Sequence, residues 1–209
     1  MKKHLIAVLA TVTFILATPF VDGQGILGER YFGLQAGYIR ISNGDSFDGF
    51  GVGTGVNIPI VKEKIGVDLL PMFSLSRLSE NNIDLDTRTI SADLIVFPNP
   101  EAEIKPFVGI GIGWGESKIS APGFLSITED SFFTSYMIGI EFAANRFGIR
   151  PSIGYTWFED DDFDNSWDFG ASANFWIDEH WTLFAGVFYS DSDNDFDAVS
   201  ITGGILFAF

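Results

Sequence analysis

Apolar residues occupy every second position in the last segment of the chain, which ends on Phe209. There Val199, Ile201 and Ile205 alternate with small or polar residues such as Ser200. Successive side chains of a β-strand point to opposite faces of the sheet, so this spacing predicts a strand with one apolar face and one small or polar face. The alternation recurs about ten times along the chain, which predicts an all-β protein.

Ten is also the strand number that best fits the length of the chain. Bacterial single-chain membrane barrels have an even number of strands and keep both termini on the periplasmic side, so eight or twelve strands remain as alternatives. The predicted strands cover residues 30–41, 49–60, 65–77, 85–97, 105–116, 131–143, 148–158, 167–177, 181–189 and 196–209.

The face opposite the apolar one consists mainly of glycine, serine and threonine. In the fifth segment Val108 and Ile110 alternate with Gly109 and Gly111. A soluble β-sandwich or lipocalin-like barrel would also alternate, but residues this small cover a water-facing surface poorly and suit a narrow lumen. Large aromatic residues near the strand ends are typical of membrane girdles. Because lipid cannot satisfy an open sheet edge, the pattern predicts a closed antiparallel transmembrane β-barrel.

The segment KPFVGIGIGWG at residues 105–115 and the final strand ending in Phe209 resemble small bacterial outer-membrane barrel proteins of the OmpA/OmpX type. The resemblance is one of architecture and covers residues 24–209. It implies a monomer in the bacterial outer membrane, in contact with outer-membrane lipid and lipopolysaccharide. It also implies insertion by the barrel-assembly machinery, which recognises a terminal aromatic strand in that group. It implies no functional site, because a shared fold does not determine a function.

The first residues have the layout of a secretory signal peptide. Lys2 and Lys3 precede an apolar run, and small residues follow. We therefore expect a signal peptide at residues 1–23 and a barrel domain at residues 24–209. A retained anchor helix is the alternative, but the run is shorter than the roughly 20 residues that span a bilayer. The chain has no cysteine, which excludes a lipid-modified cysteine, disulfides and thiolate metal sites.

The chain is strongly acidic, with 28 Asp and Glu residues, 12 Lys and Arg residues and a net charge of −16. This charge disfavours nucleic acid as a partner, since phosphates require the opposite sign. Short connections at residues 61–64, 99–103, 144–147 and 178–180 are expected on the periplasmic side. The remaining connections are longer and carry most of the acids, which predicts an acidic extracellular crown. Its main cluster consists of Asp160, Asp161, Asp162, Asp164, Asp191, Asp193, Asp195 and Asp197.

No pattern in the sequence predicts catalysis or a cofactor. Outer-membrane barrels that are enzymes resemble one another in using a histidine on the extracellular side, where it activates a serine or water. Here His4 lies in the expected signal peptide and His180 in an expected periplasmic connection. The acids from Asp191 onward begin like a calcium loop, but Phe196 and Thr202 stand where glycine and glutamate are required. We therefore expect no enzyme activity, cofactor or specific metal site, although the loop carboxylates could attract divalent cations loosely.

Two sets of charged residues lie within the predicted strands. The first has lipid-facing parity at extracellular strand ends and could bind lipopolysaccharide phosphates, or simply extend toward water above the hydrophobic band. The second has lumen parity and could form a polar network or line a narrow path that prefers cations. The first set is Arg40, Arg77, Arg88 and Lys118; the second is Asp68, Asp93, Glu141 and Arg150. Glu141 and Arg150 flank a turn, which predicts a cross-strand ion pair.

The function that best fits these patterns is a structural or surface-interaction role in the outer membrane, carried by acidic extracellular loops. The alternative is a narrow, cation-preferring, porin-like channel for small solutes, because the glycine-rich faces leave space in the lumen. Neither hypothesis names a ligand.

Overall fold

A computed structural model describes residues 26–43, 45–123, 126–160, 165–192 and 197–209. These residues form ten strands, so the predicted strand number is confirmed and eight or twelve are excluded. The expected signal peptide at residues 1–23 lies outside the described residues. The strands are β1 (Tyr31–Asn43), β2 (Asp45–Lys62), β3 (Ile65–Glu80), β4 (Ile83–Pro98), β5 (Ile104–Ser120), β6 (Ile127–Ala144), β7 (Phe147–Phe158), β8 (Ser166–Trp176), β9 (Trp181–Ser192) and β10 (Asp197–Ala208).

The sheet closes on itself. Each strand pairs antiparallel with its neighbours, and β1 pairs with β10 from Tyr31 opposite Ala208 to Ser42 opposite Asp197. Closure gives every strand two partners, which is required in hydrocarbon because lipid tails offer no hydrogen bonds. Residues 26 and 209 lie at the same end of the barrel, which we call the terminal end. The opposite end, where β1 connects to β2, is the loop end.

The apolar face of the strands points outward, as expected. Ile112 and Ile138 are 65% and 64% exposed, whereas the neighbouring lumen residues Gly111 and Ser135 are buried. A soluble barrel of this size would bury its apolar stripe, so the soluble alternative is wrong. Among the residues that the structure describes, no helix is long and apolar enough to cross a membrane.

The strands extend further toward the loop end than the sequence predicts. Gly44 alone separates β1 from β2, and Asn81 and Asn82 alone separate β3 from β4. Both asparagines have positive φ angles, 48° and 66°, as in a type I′ hairpin turn. The long loops predicted at residues 42–48 and 78–84 are therefore wrong. The alternation continues there with charged side chains that pair across strands, so these hairpins rise beyond the apolar band.

The barrel wall is uneven at the loop end. The outermost residue of β6 that pairs with β7 is Phe133, opposite Phe158. In the part of the chain that the structure describes, β6 begins at Ile127, and its residues 127–132 pair with β5. The Glu159 N–H, just after β7, donates to the carbonyl of Phe132 at 3.0 Å, so β6 extends further toward the loop end than β7 does.

Candidate functional site

The lumen is closed at the terminal end by the segment that precedes β1. Ile26 and Leu27 turn into the barrel and are 1% and 3% exposed. The turn is closed by a hydrogen bond of 2.8 Å from the backbone N–H of Glu29 to the carbonyl of Ile26, and Gly28 adopts a φ of 92° within it. These side chains pack with an apolar layer, called here the terminal layer. The layer also contains Tyr31, Leu70, Met72, Ile95, Phe97, Phe107, Met137, Phe184 and Leu206.

Polar side chains of the wall hold this segment in place. The Gly28 N–H donates to Asp68 Oδ2 at 2.8 Å, and Asn57 Nδ2 donates to the same oxygen at 2.8 Å. Asn57 also donates to the carbonyl of Glu29 at 2.7 Å, and Lys105 Nζ donates to that of Leu27 at 3.2 Å. The terminal layer is therefore tied to three strands by hydrogen bonds as well as by apolar contact.

Four charged side chains are buried beside the terminal layer: Asp68, Lys105, Glu141 and Arg150. Lys105 Nζ is 3.3 Å from Glu141 Oε1, and both side chains are almost completely buried. The Arg150 guanidinium lies 4.2 Å from the centre of the Phe107 ring, a cation–π contact. The pairs Gly139–Ser152 and Phe142–Ile149 place Glu141 opposite Arg150 in the register. Lys105 was not predicted as a lumen residue from the sequence, although its position two residues before Phe107 on the lumen face indicates it.

Hydroxyl groups dominate the middle of the lumen, called here the hydroxyl layer. Asp93 lies in this layer, where it interacts with the Ser135 hydroxyl and electrostatically with Arg150. Gly111 stands opposite Asp93, and a Cβ atom at Gly111 would collide with its carboxylate. A second acid, Asp168, was also missed, although it has lumen parity in the predicted eighth strand. The layer further contains Ser74, Thr89, Ser91, Thr156, Ser172, Ser190 and Ser200, all buried.

A second set of buried apolar side chains, called here the loop layer, lines the lumen near the loop end. Ile39 and Leu78 are both completely buried. The residues packed at this level also include Ile41, Leu85, Phe133, Phe158 and Ala198, each no more than 4% exposed. The hydroxyl layer is thus enclosed between two apolar layers.

The outer face of the loop end carries ion pairs. Arg40 Nε lies 3.7 Å from Asp48 Oδ1. Arg77 binds Asp86 in a bidentate manner, with N–O distances of 2.6 and 2.8 Å. These pairs are exposed to solvent or headgroups and stand where the apolar stripe ends.

The other two predicted lipopolysaccharide contacts lie in the same region. Arg88 pairs with Glu116 on the neighbouring strand. Lys118 is exposed and stands opposite Asp86 in the register. Arg77, Arg88 and Lys118 line one groove of about 540 Å³ on the outside of β3, β4 and β5. Each of the three arginines of the predicted set therefore has a carboxylate partner.

The acidic crown is described only in part. Asp160, Asp191 and Asp197 are exposed at the loop end, and the Tyr189 hydroxyl donates to Asp197 Oδ1 at 2.7 Å. Within the described residues no group of three or more Asp, Glu, His or Cys side chains is placed to hold a metal ion. The remaining members of the predicted cluster lie outside the described residues: Asp161, Asp162, Asp164, Asp193 and Asp195.

His180 lies in the connection between β8 and β9, at the terminal end and far from the acidic crown. Asp178 closes this connection by accepting hydrogen bonds of 2.8 Å from the backbone N–H groups of His180 and Trp181. These two bonds lower the pKa of Asp178 below its ordinary value. The arrangement is that of a capped turn.

The sequence matches the family described as "Outer membrane protein beta-barrel domain" over residues 6–175. The chain belongs to this family. The protein is therefore a β-barrel of the bacterial outer membrane, and the expected resemblance to small barrels of this kind is confirmed. No curated protein sequence matches this outer-membrane barrel.

Solved structures of other outer-membrane barrels share the fold. Neisserial surface protein A has a TM-score of 0.50 at 13% identity, covering 90% of this chain and 99% of that one. The transport unit of the autotransporter AIDA-I from Escherichia coli has a TM-score of 0.61 at 10% identity, covering 96% and 97%. The translocator domain of the autotransporter NalP from Neisseria meningitidis has a TM-score of 0.53 at 11% identity, covering 100% and 95%. At these identities the likeness is one of fold alone.

Proposed function

We propose that this outer-membrane barrel is a non-conducting, non-enzymatic protein that acts in envelope structure or surface interaction through its loop end. The observation that carries the proposal is the pair of apolar layers across the lumen. Ions and small solutes need a continuous polar path, and side chains such as Ile39 and Leu27 interrupt it. The barrel then anchors the protein in the outer membrane, and the loop end makes the contacts with other molecules.

The loop end is proposed to face outward. The two longest connections between the strands, residues 121–126 and 159–165, lie at this end, and longer connections are typical of the extracellular side. The exposed acids Asp160, Asp191 and Asp197 favour partners with a positively charged surface.

A narrow channel is the second candidate. The enclosed hydroxyl layer favours it, because serine and threonine side chains solvate ions and water. A conducting state would require both apolar layers to open. An enzyme is disfavoured because the one histidine in the described residues, His180, lies at the terminal end.

Planar-bilayer recordings of the refolded barrel test the lumen part of this proposal. We expect no steady openings from the wild-type protein, with a known porin as a positive control. The variant Leu78→Ser with Leu85→Ser weakens the loop layer alone and should remain closed because the terminal layer is intact. Steady, cation-selective openings of the wild type that vanish in Gly109→Leu would overturn the proposal and favour the channel.

Binding of a basic probe tests the proposed interaction of the acidic loop end with positively charged partners. Cells that display the wild-type barrel should bind fluorescent polylysine more strongly than cells with Asp160→Asn, Asp191→Asn and Asp197→Asn combined. The matched control neutralises three acids at the terminal end, Glu63→Gln, Glu101→Gln and Glu103→Gln, and should bind like the wild type. Equal loss of binding in both variants would contradict an outward-facing loop end.

A further inference from the structure

Asp168 stands among hydroxyl groups inside the barrel. The residue lies on the lumen face of β8 and is only 6% exposed. Its Oδ2 atom is 3.4 Å from Thr156 Oγ1 on β7 and 3.5 Å from Ser166 Oγ on β8. Ser190 of β9 is directly opposite in the register. These four residues, called here the Asp168 cluster, bring oxygen atoms from three adjacent strands to one point.

The Asp168 cluster is not satisfied by its own hydrogen bonds. In the part of the chain that the structure describes, Asp168 Oδ1 has no hydrogen-bond partner of good geometry, although the Ser190 hydroxyl acts on this carboxylate from β9. Both side chains are more than nine-tenths buried and directed into the lumen. Unpaired carboxylate oxygens are rare inside proteins because each loses its hydration without replacement.

Asp168 also differs from two other buried acids in its charge environment. Glu141 has Lys105 Nζ at 3.3 Å, and Asp93 interacts electrostatically with Arg150. Among the described residues only hydroxyl groups act on Asp168. A buried carboxylate without a compensating positive charge is strongly disfavoured, so this position requires either a proton or a bound cation.

The oxygen–oxygen distances favour a cation. An O–H···O hydrogen bond is about 2.5–3.0 Å long, so separations of 3.4 and 3.5 Å are too long for good hydrogen bonds. A hard cation such as Ca²⁺ lies about 2.3–2.6 Å from its oxygen ligands, so two ligands at right angles are about 3.3–3.7 Å apart. The distances from Asp168 Oδ2 to the Thr156 and Ser166 hydroxyl oxygens therefore equal the distance between two adjacent ligand oxygens of such a coordination shell. Na⁺ has nearly the same radius as Ca²⁺.

We propose that the Asp168 cluster binds a hard monovalent cation of the size of Na⁺. One carboxylate and three neutral hydroxyls carry a charge of minus one, so a monovalent ion gives a neutral buried site. A divalent ion would leave an uncompensated positive charge in the lumen. The site is independent of the proposed surface role, because it acts on the stability of the barrel rather than on a partner.

Acidic residues stand at the loop end of two of these strands and of the adjacent β10. Asp160 follows β7, Asp191 lies on β9 and Asp197 begins β10, and all three are exposed. Negative charge around one rim raises the local concentration of cations there. A cation that enters from the loop end during a brief opening of the loop layer would therefore meet the Asp168 cluster next.

Equilibrium unfolding of the refolded full-length barrel in phosphatidylcholine vesicles tests the site. The urea midpoint is followed by tryptophan fluorescence while NaCl replaces N-methylglucamine chloride at constant ionic strength. A ligand that binds only the folded state raises its stability with the logarithm of ligand concentration. We expect the wild-type midpoint to rise in this way with Na⁺, and the rise to be lost in Asp168→Asn.

Asp93→Asn is the matched control, because it makes the same isosteric change to another buried acid of the hydroxyl layer. It should keep the Na⁺-dependent rise. A wild-type midpoint that does not respond to Na⁺ would indicate a protonated Asp168 and overturn the proposal. A response that persists in Asp168→Asn, or that disappears equally in Asp93→Asn, would overturn it as well.

A second variant keeps the test decisive if Asp168→Asn does not fold. Ser190→Ala removes one proposed ligand without changing a charge. The variant should require several-fold more Na⁺ to reach half of the maximal rise in the urea midpoint. Broadening of the ²³Na resonance by the wild-type barrel, reduced in Ser190→Ala, would report the bound ion directly. An unchanged Na⁺ requirement together with unchanged broadening in Ser190→Ala would reject the assignment.

Discussion

The backbone N–H of Gly28 donates a hydrogen bond of 2.8 Å to Oδ2 of Asp68, although 40 positions separate the two residues in the chain. This bond attaches the segment before β1 to the wall at β3. The φ of Gly28, 92°, lies in a region that favours glycine. Because the same oxygen also accepts the Asn57 amide, one buried carboxylate holds three parts of the chain in the terminal layer.

Asp68→Ala should therefore weaken the terminal end. The substitution leaves the Gly28 N–H and one N–H of the Asn57 amide without an acceptor. An unsatisfied buried donor lowers the free energy of unfolding by about 1–3 kcal/mol. The free energy of unfolding from urea titration in vesicles measures the loss. Glu63→Ala removes an exposed acid in the connection between β2 and β3 and should change stability by less than about 0.5 kcal/mol. Equal effects of the two substitutions would show that Asp68 does not hold the segment.

Lys105→Met should destabilise the barrel by removing the ammonium group 3.3 Å from Glu141. Breaking one partner of a buried ion pair typically costs about 3–5 kcal/mol, because the remaining charge loses compensation. The double variant Lys105→Met with Glu141→Leu removes both charges and should recover most of that loss. A double-mutant cycle measured by urea unfolding checks this, and additive effects would contradict a direct coupling between the two side chains.

Asp178 should make the connection between β8 and β9 sensitive to acid. Its pKa is lowered in the folded state, first by the backbone N–H of His180 and then by that of Trp181. A lowered pKa stabilises the folded state at pH values above the unfolded pKa, and this stabilisation is lost as the pH falls through the folded pKa. The difference in stability between wild type and Asp178→Ala should thus be largest near neutral pH and vanish in acid. Urea midpoints from pH 7 down to about pH 3 measure it, since an ordinary aspartate titrates at about 3.9.

The matched variant for this experiment is Glu101→Ala, which removes another acid in a connection at the terminal end. The urea midpoint of Glu101→Ala should stay close to that of the wild type at every pH. A difference for Asp178→Ala that grows as the pH falls would contradict the sign of the pKa shift.

Arg77 and Asp86 test the proposed contact with lipopolysaccharide. The pair is exposed, so its loss should change the free energy of unfolding by no more than about 1 kcal/mol. Asp86→Asn releases the guanidinium for phosphate, and should increase binding of the barrel to lipopolysaccharide-containing vesicles. Arg77→Ala should decrease it. Unchanged binding in both variants would mean that this ion pair has no part in lipopolysaccharide contact.

The alternation of apolar and small residues determined the architecture without further information. A period of two places residues such as Ile110 and Gly111 on opposite faces, and only a closed sheet can expose the apolar face to lipid. Strand number, outward apolar faces and outer-membrane location follow from this local pattern. The tall β3–β4 hairpin was missed because its outer strand positions are charged, and a charged segment is read as a loop unless cross-strand partners are known.

The contents of the lumen were decided by the tertiary structure alone. Parity indicates that Asp68 faces inward, but not that Gly28 returns from outside the barrel to meet it. Likewise Thr156, Asp168 and Ser190 lie on different strands, and their approach depends on the register of β7, β8 and β9. Periodicity fixes the face of each residue, whereas register and the path of the N-terminal segment fix its height and neighbours. Those relations are long-range, so which side chains meet inside the lumen could be seen only in the folded barrel.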